Sequence, residues 1–591
     1  MAPHFLSITR CLFHIAALLG LGYTASSAAK SSEFMPPEEL RRGMRGFGLS
    51  VFQGTQIDTF GVEILGVIKG RIGPGHDLIL ARFSGANLEH TGIIRGMSGS
   101  PVYIENRLVG AVAYGWSYSK DPIGGITPIA PMVDVTQRSL DPGNAEKLHQ
   151  SLHFSPAQLM GDPAKPDRAT LERLTTPVAL SGFGGLAQST LSEMLAPLGL
   201  DVMQGPGNGR AEDREIAIVP GAGLGVQLIS GDRNATAIGT LTWTDGDRFV
   251  GFGHPMLHVG ATDMPATSVY IHQVIPTQTN SFKLGSPVRP FGAVRQDRQP
   301  GIGGLIGSTP SMVPVSVELS SRDGKKHFNF EVMRHRDLLP VLVRSTLISA
   351  MEAGEKLSGD AALVLRGEIT LHDGRRVKYE QFYSGPSAAL IASLEAVQPL
   401  AAIARSSFPN LEIAAVDFSA ELREGLAQAR IIGMRLPAET LRPDRSYALE
   451  ITLAPYEAES VRQKVDITLP VGTPPGLLLI RVSSGKTSRF WESSRRPDAF
   501  VARNAEQLLQ LLEQPGRADQ LVIEVLRAKP GLTIDGREMP SLPPSARAVL
   551  KSSPSSGHLG PVTDEVLLRL RLPTPYLLSG EQFIETMLEN H

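Results

Sequence analysis

Cysteine is almost absent from this chain of 591 residues: the one cysteine is Cys11. Without a second cysteine the chain forms no internal disulfide, and it has no set of thiolates to hold zinc. The formal net charge is only -2, with no basic arm and no acidic tail. Nothing in this charge pattern favours nucleic acid or an anionic membrane as the partner.

A long hydrophobic run is also lacking. An apolar run near the N-terminus covers residues 11–21, follows Arg10 and precedes the small residues at 25–29, which is the pattern of a secretory signal peptide. A membrane span usually needs about 20 apolar residues. We therefore expect residues 1–29 to be a cleaved signal peptide, which also removes Cys11 and with it any cysteine nucleophile. The mature protein is then periplasmic or extracellular and has no stable membrane span; an uncleaved N-terminal anchor is the alternative.

Clustered metal ligands and phosphate loops are missing as well. Four histidines near the motifs below occur singly, without the spacing of a metal site: His76, His90, His258 and His272. The glycine-rich residues 204–209 are not followed by the Lys-Ser/Thr pair of a phosphate-binding loop. We therefore predict no metal and no other cofactor.

The chain is rich in β-type sequence, and the length of the chain favours several domains. Short apolar runs separated by glycine fill residues 40–135, and strands at such close spacing indicate a barrel. A second glycine-rich β segment covers 211–310, and residues 405–485 alternate with period two, as in a β-sandwich.

The predicted fold class is therefore mainly β, with a mixed α/β C-terminal part. The predicted segments follow changes in composition along the chain. They are a signal peptide at 1–29, a β-barrel segment at 40–135, a linker at 136–210, a second β segment at 211–310, a mixed α/β region at 311–404, a β-sandwich-like region at 405–485 and a mixed C-terminal region at 486–591. The linker is expected to contain short helices near 169–174 and 189–195.

The most informative stretch is the turn GMSGSP at residues 96–101, which lies between two apolar β-type runs. A turn of this kind presents Ser98 as a β-barrel peptidase presents its nucleophile, and Gly96 and Gly99 permit backbone conformations that a Cβ forbids. The amides of Gly96 and Ser98 are the candidate oxyanion hole. The alternative is a simple tight turn, since turns between strands commonly use Gly, Ser and Pro.

A second glycine-rich turn, GFGHP at residues 251–255, contains His254 at the end of an apolar strand. A serine hydroxyl is a weak nucleophile and needs a base, so His254 is the candidate general base for Ser98. A lone histidine at a strand end is otherwise a hydrogen-bonded structural residue.

Both turns resemble the same family. The run IIRGMSGSPVYIENRLVGAVAY is similar to the nucleophile segment of the SpoIVB-type serine peptidases, and AIGTLTWTDGDRFVGFGHPM is similar to their histidine segment; residues 296–302, QDRQPGI, add to the resemblance. The resemblance implies a trypsin-like double β-barrel, with Ser98 as nucleophile on the half at 40–135 and His254 as base on the half at 211–310. It also implies a protein or peptide substrate.

This sequence departs from the family pattern in two ways. The family's histidine precedes its serine, whereas here Ser98 precedes His254, so the two halves stand in exchanged order. The family's aspartate precedes the nucleophile at a position that is Phe83 in this chain. In a serine triad the acid holds the correct imidazole tautomer, and its loss costs about 10⁴-fold in turnover.

Other carboxylates are candidates to replace the missing acid. Asp77 lies shortly before the position of Phe83, Glu89 lies between it and the serine turn, and Asp263 follows His254. For each of them the alternative, which the exposure typical of such residues favours, is a solvated carboxylate at a turn or strand end. A Ser-His dyad assisted by a backbone carbonyl needs no acid.

We therefore expect an exported serine endopeptidase in which Ser98 and His254 form a dyad or an incomplete triad. The alternative is a catalytically inactive relative that serves as a binding or scaffold protein in the cell envelope, which Phe83 in the acid position favours. A purely structural envelope protein is a third interpretation, and it requires both family segments to arise by chance.

Overall fold

The computed structural model describes residues 33–73, 75–116, 119–141, 171–206, 215–354, 359–514, 516–539, 542–552 and 558–589. The predicted signal peptide lies outside these ranges, as does much of the predicted linker. The chain forms two compact units: Met1–Met312 with Glu331–Arg334, and Val313–Phe330 with His335–His591. Within the described ranges, no helix is both long and apolar enough to cross a membrane.

The first unit begins with seven strands: β1 (Arg45–Gln53), β2 (Gln56–Gly73), β3 (His76–Ser84), β4 (Pro101–Ile104), β5 (Arg107–Trp116), β6 (Ile123–Pro128) and β7 (Leu171–Arg173). They form one antiparallel sheet in the order β4-β1-β2-β3-β6-β5-β7, and β4 also pairs with β5. The first six strands therefore close into a ring. A 3-10 turn at Pro37–Glu39 and helices at Leu88–Thr91 and Ile129–Gln137 complete this part.

The same unit contains a second closed ring. Its strands are β8 (Thr176–Ser181), β9 (Leu200–Gln204), β10 (Gly223–Gly231), β11 (Asn234–Asp245), β12 (Arg248–Gly251), β13 (Gly260–Ile275), β14 (Phe282–Arg298) and β15 (Gly301–Ile306). The order is β10-β13-β14-β15-β12-β11, closed by a β10–β11 pairing, with β8 and β9 added at β11. A helix at Gly185–Leu195 and a 3-10 turn at Ala196–Leu198 lie between β8 and β9.

Apolar side chains fill the first ring and join it to the second. Phe60 and Phe83 meet edge to face in the first core, with ring centroids 5.7 Å apart. The buried Met97 belongs to this core, so the residue before Ser98 anchors the serine turn. A second cluster places Met132, from the helix at Ile129–Gln137, with Trp243 of β11. Burial of such side chains stabilises each by about 1.5–3 kcal/mol.

The second unit is also rich in strands. Its first sheet has the order β19-β18-β20-β16-β17, from the strands β16 (Met312–Ser321), β17 (Gly324–Met333), β18 (Ala361–Leu371), β19 (Arg376–Gly385) and β20 (Ile413–Glu424). The β16–β20 pairing is parallel. Helices at Leu339–Glu352, Ala388–Ala396 and Gln398–Ala404 connect these strands.

Two further sheets of this unit pack on one apolar core. The first, β24-β23-β21-β29, contains β21 (Gln428–Arg435), β23 (Ser446–Pro455), β24 (Val461–Thr468) and β29 (Leu577–Ser579). The second, β22-β30-β25-β26-β27 with β28 on β26, contains β22 (Thr440–Leu441), β25 (Gly476–Ser484), β26 (Gln520–Ile534), β27 (Arg537–Met539), β28 (Leu559–Pro573) and β30 (Gln582–Leu588). Helices at Gly485–Arg495, Ala505–Leu512 and Pro544–Ser552 and a 3-10 turn at Pro497–Phe500 link them.

The mainly β class predicted from the sequence is confirmed, and one local prediction is wrong. The helix expected near 189–195 is present within Gly185–Leu195. The helix expected near 169–174 is a strand over its described part, because β7 pairs with the edge of β5 through Tyr114 and Arg173. A long-range edge partner overrides a short local helical preference in such cases.

Candidate active site

The serine turn is held against the second ring by β11. The amide of Thr240 donates to the Ser98 carbonyl at 2.8 Å, and the Thr240 hydroxyl donates to the Gly96 carbonyl at 2.9 Å. The Thr242 hydroxyl donates to the Gly99 carbonyl at 2.7 Å. The two threonines of the TLT sequence therefore bind three carbonyls of the serine turn, those of Gly96, Ser98 and Gly99.

Gly99 allows the two rings to approach closely. Its φ is +97°, and a Cβ at this position would collide with the Thr240 carbonyl oxygen and lie 2.5 Å from the Phe252 amide nitrogen. Gly96 has a φ of +94°, and a Cβ there would lie 3.2 Å from the Lys283 side chain. Only glycine fits these positions without strain.

The histidine turn fits against the first ring in a similar way. Phe252 and Gly253 both have a φ of +68°. A Cβ on Gly253 would lie 3.1 Å from the Cβ of Ala113, and the Gly253 carbonyl accepts a hydrogen bond from the Thr127 hydroxyl at 2.5 Å. The left-handed turn after β12 therefore carries the next residue, His254, toward the serine turn.

Ser98 and His254 meet directly in this structure. Ser98 Oγ lies 2.8 Å from His254 Nε2, and His254 Nδ1 lies 2.9 Å from the carbonyl oxygen of Pro255. A carbonyl oxygen only accepts hydrogen bonds, so Nδ1 carries the ring proton and Nε2 is left to accept from the serine hydroxyl. This is the tautomer that a general base requires.

The environment of the pair favours an uncharged histidine. Both side chains are 1% exposed. Burial lowers the pKa of His254 from 6.5 to about 4; the Pro255 carbonyl acts in the opposite direction, and the nearby charge of Arg173 lowers the pKa further. At neutral pH the imidazole is therefore unprotonated and able to accept a proton.

The turn leaves the candidate oxyanion-hole donors available. Its internal and anchoring hydrogen bonds use the amides of Met97, Gly99 and Ser100. Within the described residues, the amides of Gly96 and Ser98 donate to no protein acceptor. Amides of this kind can bind a negatively charged oxygen during a reaction.

The hydrogen bonds of the candidate acids go elsewhere. The Asp77 carboxylate binds Lys69 at 2.7 Å and the Gly70 amide at 2.9 Å. The Asp263 carboxylate binds Arg295 at 2.5 Å, and its other oxygen accepts from the Ser311 amide at 2.8 Å. Neither carboxylate is bonded to His254.

The position of the family's acid is occupied by an apolar side chain. Phe83 is 1% exposed and lies in the apolar core of the first ring. Glu89, the remaining sequence candidate, accepts a hydrogen bond from the Gly85 amide at 2.8 Å. The acceptor at His254 Nδ1 is consequently a backbone carbonyl.

Sequence reasoning missed Asp297, the carboxylate that binds the histidine turn. It is fully buried near the end of β14 and accepts hydrogen bonds from the amides of Met256 at 2.8 Å, Leu257 at 2.6 Å and His258 at 2.8 Å. Burial raises the pKa of Asp297 above its ordinary value, and the three amides and His258 offset part of this rise. The three N–H donors favour the ionised carboxylate. The one signal in the sequence was the QDRQPGI stretch, which had no assigned role.

Lys283 is a second residue that the sequence did not single out. Its Nζ donates to Ser50 Oγ at 2.8 Å, and Ser50 Oγ lies 2.9 Å from Ser100 Oγ. The side chain is 2% exposed, and burial lowers the pKa of the Lys283 ammonium from 10.5 to about 7. This ammonium lies beneath the serine turn and bonds to hydroxyls.

Cavities occur in both units. Pro255 and Arg173 border a cavity of about 250 Å³ in the first unit. In the second unit, a cavity of about 870 Å³ is lined by charged side chains, among them Arg517, Glu380 and Glu492. Arg517 is paired with Glu380 there. Within the described ranges, no group of His, Cys, Asp and Glu side chains is arranged to hold a metal.

Comparison with known proteins identifies part of the first unit. Residues 28–127 match the family SpoIVB peptidase S55, which confirms the resemblance over a range that includes Ser98 and ends before His254. The match supports a peptidase, a hydrolase that acts on peptide bonds.

Other comparisons add little. No curated protein matches the chain. Among solved structures, a superantigen-like protein from Staphylococcus aureus in complex with 3-N-acetylneuraminyl-N-acetyllactosamine is similar over 34% of this chain and 90% of its own. It shares 11% identity with a TM-score of 0.12.

Proposed function

Starting from a SpoIVB-type peptidase segment at residues 28–127, we propose that the protein is an exported serine endopeptidase that cleaves a protein or peptide substrate. Ser98 is the nucleophile and His254 is the general base. The observation that carries the proposal is the 2.8 Å hydrogen bond between Ser98 Oγ and His254 Nε2, with Nδ1 bound to a carbonyl. A nucleophile, its base and a group that orients the base are the arrangement that serine hydrolysis requires.

The reaction begins when His254 Nε2 takes the proton of the Ser98 hydroxyl and Oγ attacks the carbonyl carbon of the scissile bond. The amides of Gly96 and Ser98 bind the resulting oxyanion. As the tetrahedral intermediate collapses, the carbon–nitrogen bond breaks and the leaving amine takes the proton from Nε2. Water, activated by the same histidine, then hydrolyses the acyl-enzyme and restores Ser98.

The dyad is the form of the site that this geometry supports. The Pro255 carbonyl holds the tautomer that an aspartate holds in a triad, and Phe83 supplies no charge. Because Ser98 and His254 are each 1% exposed, the covering segments must move before a substrate reaches the hydroxyl.

We further propose that the two closed rings are the halves of a trypsin-like double β-barrel in exchanged order. The ring of β1–β6 contains Ser98, and the ring of β10–β15 leads into His254. Six antiparallel strands per ring and a site where the rings meet support this assignment. The connection between the halves does not matter chemically, because serine sites depend on the assembled geometry and recur with several chain orders.

A fluorophosphonate probe tests the proposed function. We expect labelling of Ser98 in the full chain, identified by peptide mass spectrometry, and loss of labelling in Ser98→Ala and His254→Gln. Ser100→Ala is the matched control, because this buried serine bonds to Ser50 rather than to the histidine.

Labelling that persists at Ser98 in His254→Gln removes the histidine from the mechanism. A folded wild-type chain that shows no labelling over a range of probe concentrations favours the catalytically inactive binding or scaffold protein. Export is tested separately by sequencing the N-terminus of the mature protein, which we expect to begin just after Ala28 or Ala29.

A further inference from the structure

A single peptide group joins Asp297 to His254. The carbonyl oxygen of Pro255 and the amide N–H of Met256 belong to the same peptide bond. His254 Nδ1 donates to that carbonyl at 2.9 Å, and the Met256 amide donates to Asp297 Oδ1 at 2.8 Å. A continuous chain of hydrogen bonds therefore runs from the carboxylate through the peptide to the imidazole and on to Ser98 Oγ.

We propose that Asp297 is the positioning residue of this site and that it acts on His254 through the Pro255–Met256 peptide bond. This inference rests on the proposed peptidase function only for its effect on rate. In a serine triad the aspartate touches the histidine; here the peptide group is inserted between them. The role of the family's acid is therefore taken by a carboxylate on β14, and not by one close in sequence to the family's position.

A peptide group can transmit the effect of a charge from its N–H to its carbonyl oxygen. Hydrogen bonds in a chain polarise one another, so an anion bound to the N–H increases the negative charge on the carbonyl oxygen of the same peptide. A more negative oxygen is a better acceptor for Nδ1–H and stabilises the imidazolium formed when Nε2 takes a proton. Hydrogen bonds to charged groups are also stronger than those between neutral groups.

Asp297 is well placed to fix the turn as well as to polarise it. Its second oxygen accepts from the amides of Leu257 at 2.6 Å and His258 at 2.8 Å. Three hydrogen bonds from consecutive amides hold the turn after His254 in one orientation. An uncharged amide side chain at 297 cannot reproduce them, because its NH₂ group would face N–H donors.

Other charged groups lie around this chain of bonds. Arg173 donates from Nη1 to the Pro255 carbonyl at 3.3 Å and lowers the pKa of His254. His258 and Arg298 lie beside Asp297 and interact with its charge. Arg173 thus opposes stabilisation of the imidazolium, and Asp297 is the anion bonded to the same peptide group.

The test compares Asp297→Asn with wild type in the full chain by two independent measurements. The first is the NMR resonance of the His254 Nδ1 proton at neutral pH, assigned by its loss in His254→Gln. The second is the rate at which the fluorophosphonate labels Ser98. We expect the proton resonance to move upfield, because its acceptor is weaker, and labelling to slow by roughly tenfold, the equivalent of one pKa unit.

Asp263→Asn is the matched control. It removes another carboxylate of the same ring, which binds an arginine and a backbone amide rather than the histidine turn. We expect it to leave both the resonance and the labelling rate at wild-type values. Asp297→Glu is the second variant, because it keeps a negative charge at this position and is expected to restore both readouts toward wild type.

The outcomes separate the two proposals. An unmoved Nδ1 proton in folded Asp297→Asn overturns the link through the peptide, even if labelling slows. Equal losses in the Asn and Glu variants show that only packing at position 297 matters and also overturn it. A resonance that moves in a chain whose wild type is never labelled supports the link and refutes the peptidase. If Asp297→Asn does not fold, the Glu variant decides by the same resonance.

Discussion

Lys283 provides a quantitative test of how the serine turn is supported. Its ammonium is buried among hydroxyls, and burial lowers its pKa from 10.5 to about 7. Between these values the unfolded chain binds a proton that the folded chain does not, so the free energy of unfolding rises with pH from about 7 to 10.5. Below pH 7 the full free-energy cost of burying the charged lysine is present. At about 1.36 kcal/mol per pKa unit, a shift of this size corresponds to about 5 kcal/mol.

Lys283→Met removes the charge and keeps the aliphatic chain that packs against Gly96. The substitution also removes the hydrogen bond from Nζ to Ser50, which contributes about 1 kcal/mol. We therefore expect the variant to be more stable than wild type by about 4 kcal/mol at pH 7 and below. The advantage shrinks as pH rises, and at pH 10.5 the variant is less stable by about 1 kcal/mol.

Urea unfolding between pH 6 and 10 measures these differences. Trp116 and Trp243 report on the first unit when Trp491→Phe removes the tryptophan of the second. Lys69→Met is the control, because this exposed lysine pairs with Asp77 at the surface and its removal should not change the dependence between pH 7 and 10. Parallel stability curves for wild type and Lys283→Met would refute the reasoning.

Three further predictions concern the histidine, the close approach of the rings and the family's acid position. The pKa of His254 is about 4 in the folded chain and 6.5 in the unfolded chain, so the free energy of unfolding falls by at most about 3 kcal/mol as pH drops from 6.5 to 4. His254→Gln should lose that dependence in urea titrations, and the same fall in stability between pH 6.5 and 4 in this variant would contradict the prediction. Gly99→Ala should cost more than about 3 kcal/mol and abolish labelling of Ser98, whereas Gly43→Ala, with a φ of +88° and open space around it, should cost about 1 kcal/mol; equal midpoints in thermal unfolding would argue against the close approach. Phe83→Asp should lower stability by several kcal/mol without faster labelling, and a folded variant that labels faster than wild type would show that the family's acid still reaches the site.

The local features of this protein were largely predictable from its sequence. Alternation and glycine spacing indicate a mainly β chain, and the helix within Gly185–Leu195 follows from its own apolar periodicity. The turns that contain Ser98 and His254 were recognisable because their glycines and the chemistry of their side chains lie within a few residues of one another.

The tertiary structure decided how these pieces meet. Ser98 and His254 are 156 positions apart and come within 2.8 Å because β11 holds the carbonyls of the serine turn and the left-handed turn after β12 points back to it. The acceptor of Nδ1 is a neighbouring carbonyl, and the carboxylate behind it, Asp297, comes from β14.

Composition and spacing cannot reveal such links, because a buried carboxylate or ammonium is distinguished from a solvated one only by what packs around it. Asp77, which lies shortly before the family position in the sequence, is bonded at the surface, whereas Asp297 and Lys283 are enclosed. The strand at Leu171–Arg173 follows the same rule, since its partner β5 is distant in sequence. The sequence by itself determined the mainly β character, the two turns and the reactive groups; ring closure and burial decided which groups face one another.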